Sequence, residues 1–398
     1  MTALSNTQTT SRSRIAVVVA CVALFTDMLV YGIAIPVLPL LDATVQAGPL
    51  GTGALFASYA AAMIIVTPFA GRMVDRVGPR GPLLVGLLGL AAATLLFAIG
   101  GPYWVLMLGR LLQGLAAGMS WVASLALIAA VVPFARRGRT MGVAMSMISL
   151  GTLIGPPLSG FLVQHWGTAT PFLAAAAFTL ADGALRIIFI RPLPAAADDP
   201  TGPLAVLRIP GSLSTIGVIA LGAAVIATIE PTLPRYLHDA LSVDSLGIGV
   251  LFALIVVVGA ILNPIVGSFV SRVDARYLVG TGIIVTSAGF VAIGLSEQLW
   301  QIVAGLALIG GGIAFFSAPS STLIGGQGAQ TTPPALGGAY SLYNLAYATG
   351  LMIGPFLAGS LVSALGPQTA FLMLALTTVL LGASTLPRLP TATNHSPR

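Results

Sequence analysis

Apolar residues gather into twelve blocks, at 15–41, 51–74, 81–100, 103–133, 138–164, 168–190, 212–237, 245–270, 277–296, 299–325, 333–363 and 367–387, separated mostly by Gly, Pro, Arg or Asp. Each block reaches or exceeds the roughly 20 residues that carry an α-helix across the hydrocarbon of a bilayer. The pattern therefore predicts twelve spanning helices, with a loop inside the Gly/Ala-rich run from Gly325 to Gly338. The polar stretch Met1 to Arg14 precedes an apolar run too long for a signal peptide's core, so it reads as the approach to an uncleaved first span.

Composition sharpens this picture. With 57% hydrophobic and 7% charged residues, too few charges exist to coat a water-facing surface, and lipid is the expected solvent. A net charge of +6 could point to nucleic acid, but the arginines are scattered over short loops and form no continuous stripe, so no nucleic-acid partner is expected. Topology explains them better. With both termini cytoplasmic, the inner segments receive Arg12, Arg14, Arg72, Arg76, Arg80, Arg136, Arg137, Arg139, Arg191, Arg208, Arg272, Arg276, Arg388 and Arg398, and the outer loops only Arg235. Cytoplasmic loops carry such an excess, and one missed or invented span in the middle would scramble it. Absent lysine and abundant Ala and Gly fit a GC-rich bacterial genome, hence a bacterial plasma (inner) membrane.

The stretch from Arg191 to Gly211, rich in Pro with Asp198 and Asp199, divides the spans six and six and reads as a flexible cytoplasmic tether. The expected units are an N-terminal six-helix bundle (1–190), a linker (191–211) and a C-terminal bundle (212–398). Three motifs recur at nearly constant offset. Pro36-Val37-Leu38-Pro39 returns at Pro231, the Gly71 to Val77 segment at Gly267, and Ile154-Gly155-Pro156 at Ile353. A parallel duplication of six-span units follows, the kind of transporter repeat that places a substrate site near the membrane midplane.

Ionisable side chains inside spans are costly and are functional candidates by default. Asp27 lies thirteen residues beyond Arg14, or about 20 Å along a helix, and cannot reach the membrane surface. Burial favours the neutral form of a carboxyl and a nearby cation the charged form, so such a position could exchange a proton for a cationic guest, unless Arg110 or hydroxyls satisfy it permanently. Glu230 precedes Pro231, where a loosened helix frees carbonyls beside a carboxylate; the alternative is a kink with the acid reaching the outer interface near Arg235. Arg110 and Gln113 share a face of the fourth span above Gly114 and Gly118, and Arg110 could lock a helix or pair with Asp27. Asp182 and Arg186, spaced i and i+4, can neutralise one another. The rings of Tyr31, Phe56, Tyr59, Tyr236, Tyr340, Tyr343 and Tyr347 could hold a cation or simply anchor interfaces.

Two further segments point to motion. Gly71, Asp75, Arg76, Gly78 and Arg80 form an ordered loop whose acid can pair with arginine, a clasp able to form in one conformation and break in another. In the fifth span Gly151, Gly155, Pro156, Pro157 and Gly160 combine close packing with helix-breaking prolines and read as a pivot surface. Cys21 stands alone, which excludes an internal disulfide and a cysteine-rich metal site; no metal site is expected. The histidines His165, His238 and His395 fall in loops or the tail, no nucleotide-phosphate loop occurs, and no catalytic residue is expected.

These residues resemble the major facilitator superfamily and, within it, the twelve-span drug/proton antiporters. Gly71 to Arg80 looks like the signature between spans two and three, Arg110-Leu111-Leu112-Gln113-Gly114 like that of span four, and Gly151 to Gly160 like the antiporter signature of span five. The resemblance narrows to vesicular monoamine and acetylcholine transporters and their bacterial relatives on Asp27 with Ile35-Pro36-Val37-Leu38-Pro39, Leu55 to Ser58, Asp182-Gly183-Ala184, Glu230 to Pro234, and Tyr340 to Pro355. It implies an all-α membrane protein of two pseudo-symmetric six-helix bundles, a monomer, alternating access driven by a proton gradient without other cofactor, and Asp27 and Glu230 as amine- and proton-handling acids. Asn344 stands where those transporters carry an acid, and Tyr59 where monoamine transporters carry a lysine. The expected cargo is a small organic cation exchanged for protons; a facilitator of a neutral or anionic metabolite and a non-transporting sensor remain as alternatives.

Overall fold

The computed structural model describes residues 2–132, 134–189, 203–270, 272–332 and 335–390. Among them the chain is α-helical without a strand, and twelve helices are long and apolar enough to cross a membrane. In order these elements are α1 (Thr2–Val37), α2 (Asp42–Val77), α3 (Arg80–Ile99), α4 (Tyr103–Val131), α5 (Phe134–Trp166), α6 (Thr170–Phe189), a short α7 (Pro203–Leu207), α8 (Ser212–Ile229), α9 (Leu233–Leu241), α10 (Ser245–Phe269), α11 (Ala275–Gly294), α12 (Leu299–Ala329), α13 (Leu336–Leu365) and α14 (Pro367–Thr385). The seventh predicted span is the broken pair α8 and α9. Proline lacks the N–H that would continue the helical ladder and its ring crowds the carbonyl four residues back, so α8 stops just before Glu230-Pro231 and α9 starts at Leu233.

The described residues pack as two units. Unit one takes its residues from Met1–Ala43, Ala61–Asp198 and Asp244–Gly249, and unit two from Thr44–Ala60, Asp199–Val243 and Val250–Arg398. In unit one α1 packs against α4, α5 and α6, and α3 against α4 and α6. In unit two α8 packs against α12, α13 and α14, and α11 against α12 and α14. The same partners recur in the same order, which is what a duplicated six-helix plan produces.

Hydrocarbon gives helices no hydrophobic reason to associate, so close backbone approach at small residues does the joining. A Cβ on Gly155 of α5 would lie 2.9 Å from both the Gly32 Cα and the Leu29 carbonyl oxygen of α1. Ser159 fixes the same pair by donating its hydroxyl to the Ile33 carbonyl at 2.7 Å. In unit two, a Cβ on Gly354 of α13 would lie 2.6 Å from the Ala224 carbonyl oxygen of α8. Gly151 and Gly155, read from the sequence as part of a pivot, thus fasten α5 to α1 inside unit one, while the Pro156 carbonyl lies against Gly249 in the first turns of α10.

The loop between α2 and α3 turns at Gly78, whose φ of 77° and ψ of 171° belong to a region open in practice only to glycine. Its N–H donates to the Val74 carbonyl at 2.8 Å and closes α2. Gly71 is half-buried inside α2, Arg76 is exposed and Arg80 half-buried at the start of α3. The Asp75 side chain lies outside the described residues.

The tether departs from its reading as a flexible linker. Residues 191–202 lie outside the described residues, but 203–207 form α7, which packs against α13, and Val206 is fully buried with Ile219, Ile324 and Ala339. The apolar run Leu204-Ala205-Val206-Leu207 supplies the burial that the flanking prolines obscured. Arg276 secures the far end of unit two, donating to the Leu389 carbonyl at 3.1 and 2.8 Å and to Pro387 at 3.0 Å.

Gly78→Val places a β-branched residue in glycine-only backbone and should cost about 1–3 kcal/mol. Thermal unfolding in detergent should shift down for this variant, whereas Gly71→Ala, a helical position with nothing within 4 Å of the added methyl, should unfold at or above the wild-type temperature.

Candidate functional site

Two clusters of polar side chains lie inside the membrane-spanning helices, one in each unit. The first forms around α1. Because α4, α5 and α6 all pack on it, α1 is buried on most of its circumference and Asp27 is only 2% exposed. The Ser120 hydroxyl of α4 hydrogen-bonds Asp27, and the second carboxylate oxygen, Oδ2, has no hydrogen-bond partner among the described residues. The cation acting on Asp27 is Arg186 of α6.

Arg186 is itself 1% exposed and is held from three sides. It forms an ion pair with Asp182 one helical turn earlier, and its Nη1 donates to the Leu83 carbonyl of α3 at 3.3 Å and to the Ser120 hydroxyl at 3.4 Å. The Asp182–Arg186 pair read from the i, i+4 spacing is present. Its connection through Ser120 to Asp27 is what the spacing could not show.

Arg110, the other cation considered for Asp27, is engaged elsewhere. Fully buried in α4, it donates from Nη1 to the side-chain amide oxygen Oε1 of Gln113 at 2.8 Å, and its guanidinium carbon lies 5.5 Å from the centroid of the Tyr31 ring. Tyr31 therefore already holds a cation on its ring, one supplied by the protein. The face of α4 was visible in sequence: Arg110, Gln113, Ala117, Ser120 and Ser124 follow at steps of three and four, the spacing of one helical face. Ser120 was missed because a serine in a Gly/Ala run carries no charge to attract notice.

The second cluster is in unit two. Glu230 sits at the break between α8 and α9 and is 3% exposed. Thr228 and Thr232 on either side turn their hydroxyls onto the carbonyls of Val225 and Thr228, at 2.7 and 3.0 Å. Arg235, the outer-interface cation considered for Glu230, pairs with Asp239 at 3.1 Å on the exposed face of α9. On α13, Tyr343 and Tyr347 stack with centroids 6.4 Å apart and planes 10° from parallel, and Tyr347 is within electrostatic reach of Glu230. Asn344 between them is half-buried. Phe56 and Tyr59, each 2% exposed, belong to the part of α2 that packs with unit two. Tyr236 approaches Ser296, with its phenol oxygen 3.4 Å from the serine hydroxyl, and Tyr340 is exposed.

What this arrangement can do chemically is narrow. A buried carboxyl is tolerated when protonated or when paired with a cation, and in unit one Asp27 has one carboxylate oxygen without a hydrogen-bond partner among the described residues. Among the described residues no group of His, Cys, Asp and Glu could hold a metal ion.

The family model described as Major Facilitator Superfamily matches residues 20–240 and 213–397, nearly the whole chain. The chain belongs to this superfamily of membrane transporters. Among curated proteins the facilitator is similar to the chromaffin granule amine transporter of Rattus norvegicus, 28% identical over 317 residues that cover 79% of this chain and 61% of the relative. It is likewise 28% identical over 375 residues to the probable vesicular acetylcholine transporter-B of Danio rerio, covering 89% of this chain and 75% of that one. The chain thus spans less than two thirds of the first relative's length. Among solved structures, a bacterial homolog to the human lysosomal transporter Spinster superposes with a TM-score of 0.81 at 13% identity over 96% of both chains. The nucleoside transporter NupG superposes with a TM-score of 0.75 at 14% identity, over 94% of this chain and all of that one. At such identities the likeness shows the facilitator fold alone.

Within the first cluster, Gln113→Ala leaves a buried guanidinium without the acceptor it now uses and should cost about 1–3 kcal/mol. A fall in the thermal unfolding temperature checks this, and Gln113→Glu, which keeps an acceptor in place, should unfold close to wild type.

Proposed function

We infer that this facilitator exports small organic cations from the cytoplasm in exchange for protons, by alternating access and with the proton gradient as its energy source. The observation that carries the reading is Asp27: an acid on α1, enclosed by three further helices of unit one, hydrogen-bonded by Ser120 at one oxygen and buried without a hydrogen-bond partner among the described residues at the other. Such a carboxyl has two comfortable states, holding H⁺ or facing a cation. Alternation between them is the chemistry of cation/proton exchange, since the guest and the proton compete for one negative charge.

The similarity to proteins named as amine and acetylcholine transporters supports a cationic guest. Glu230, beside the stacked phenols of Tyr343 and Tyr347, supplies the second acid. Asn344 cannot titrate, so this chain uses one acid fewer than its resemblance to the vesicular transporters would imply. The arginine distribution supports an orientation with both termini cytoplasmic in a bacterial plasma membrane, and a monomer suffices because each cluster is assembled within one chain.

Transport into proteoliposomes under an imposed pH gradient tests the reading with a panel of amines and lipophilic dyes. Wild type should accumulate at least one of them in a gradient-dependent manner. Asp27→Asn should lose gradient-driven accumulation by about tenfold or more, with Glu230→Gln impaired as well. Uptake indifferent to the gradient and retained by both variants would establish a facilitator of uncoupled cargo instead.

A further inference from the structure

Three buried charged residues of unit one that gather around Ser120, namely Asp27, Asp182 and Arg186, do not balance among themselves. Two carboxylates face one guanidinium, all are at most 2% exposed, and Asp27 and Arg186 meet the same hydroxyl, that of Ser120. Of the other elements packed around Asp27, α1 carries Cys21 and Tyr31 but no further charged side chain from Ile15 to Val37, α4 carries the buried cation Arg110, which meets the neutral Gln113 and Tyr31 ring while the cation acting on Asp27 is Arg186, and α5 has no charged residue between Ser146 and Gln164. A buried ion pair costs several kcal/mol of desolvation per ion and is often replaceable by apolar residues without loss of stability. The best-attested reason to retain one is a switch or a register role.

The bonding pattern also leaves the guanidinium short of its capacity. Arg186 Nε and Asp182 Oδ1 have no hydrogen-bond partner among the described residues, and neither does Asp27 Oδ2. A planar fork of five N–H donors can serve two carboxylates in turn with small rotations of its side chain. Ser120 marks the path between them, because it is bonded to Asp27 and lies 3.4 Å from Arg186 Nη1.

We propose that Arg186 is a shared counter-ion: it pairs with Asp182 while Asp27 carries a proton or a cationic guest, and turns toward Asp27, across the position of Ser120, when Asp27 carries neither. Asp182 is then a positioning residue that draws the guanidinium away and keeps Asp27 available. The network of Asp27, Asp182 and Arg186 bears one net negative charge, so it accepts one positive charge at a time, either H⁺ or a guest. The proposal rests on reading Asp27 as the exchanging acid and specifies how that acid is kept from being captured by its own protein.

Tetraphenylphosphonium binding to the detergent-solubilised full chain, read by equilibrium dialysis together with proton release in weakly buffered solution, separates the two ideas. Wild type should release about one proton per cation bound near neutral pH; binding without release would defeat the exchange reading itself. Given release in wild type, Asp182→Asn leaves Arg186 with Asp27 as its sole carboxylate partner in the network. This variant should bind about tenfold more weakly or worse and release no proton. Asp182→Glu, which retains the charge, should restore both. Arg186→Gln removes the competitor and should bind at least as tightly as wild type, a result that a purely structural arginine would not give. The double variant Asp182→Asn/Arg186→Gln, again one net negative charge, should recover binding and release to within a few-fold of wild type. If folded Asp182→Asn binds and releases as wild type does, or if the double variant is no better than Asp182→Asn alone, the shared counter-ion is refuted. Should Asp182→Asn fail to fold, Arg186→Gln decides: weaker binding by that folded variant overturns the proposal.

Discussion

Everything in unit one is arranged around the cost of keeping a carboxylate out of water. An ionised group at the centre of a spanning helix costs several kcal/mol unless it is neutralised or hydrogen-bonded, and Asp27 can escape neither along α1 nor sideways into lipid, since α4, α5 and α6 enclose that helix. The protein meets the cost incompletely. One oxygen has a hydroxyl, the nearby guanidinium is held by another acid, and the second oxygen has no hydrogen-bond partner among the described residues. An incompletely satisfied acid in an otherwise tightly joined bundle is the feature on which the proposed exchange rests.

The duplication explains the frame on which this chemistry is mounted, and divergence explains the chemistry. Both units join their first and fifth helices through glycines that admit backbone contact, Gly155 with Gly32 in one and Gly354 with Ala224 in the other. The polar residues are not duplicated. Unit one contains two carboxylates, a serine and an arginine, whereas unit two has an acid at a broken helix within electrostatic reach of Tyr347, which stacks on Tyr343. Packing rules tolerate few changes at the small-residue contacts.

Much of this was legible in the sequence, for reasons that are physical. Spanning helices announce themselves by length and hydropathy, and the twelve apolar blocks lie on the twelve helices within a few residues at most ends. The break at Glu230-Pro231 was readable because proline's missing N–H acts locally. What was not legible depends on how helices are rotated against one another. Spacing along α6 predicts that Asp182 meets Arg186, but only the packing of α6 beside α1 and α4 brings that arginine to Ser120 and Asp27. Tyr31 reads in the sequence as a ring able to hold a cationic guest, and packing places the protein's own Arg110 over it. The tether misled because its prolines outweighed the four apolar residues that dock α7.

The central claim is that Asp27 surrenders a proton when a cationic guest binds. Infrared difference spectroscopy on the membrane-reconstituted protein observes that event at the carboxyl group itself. Adding tetraphenylphosphonium should produce a negative band in the protonated-carboxyl region with a matching gain of carboxylate absorption, and the pair should vanish in Asp27→Asn. A guest-bound spectrum with no loss of protonated carboxyl, or one in which Asp27→Asn retains the same loss, would contradict the account.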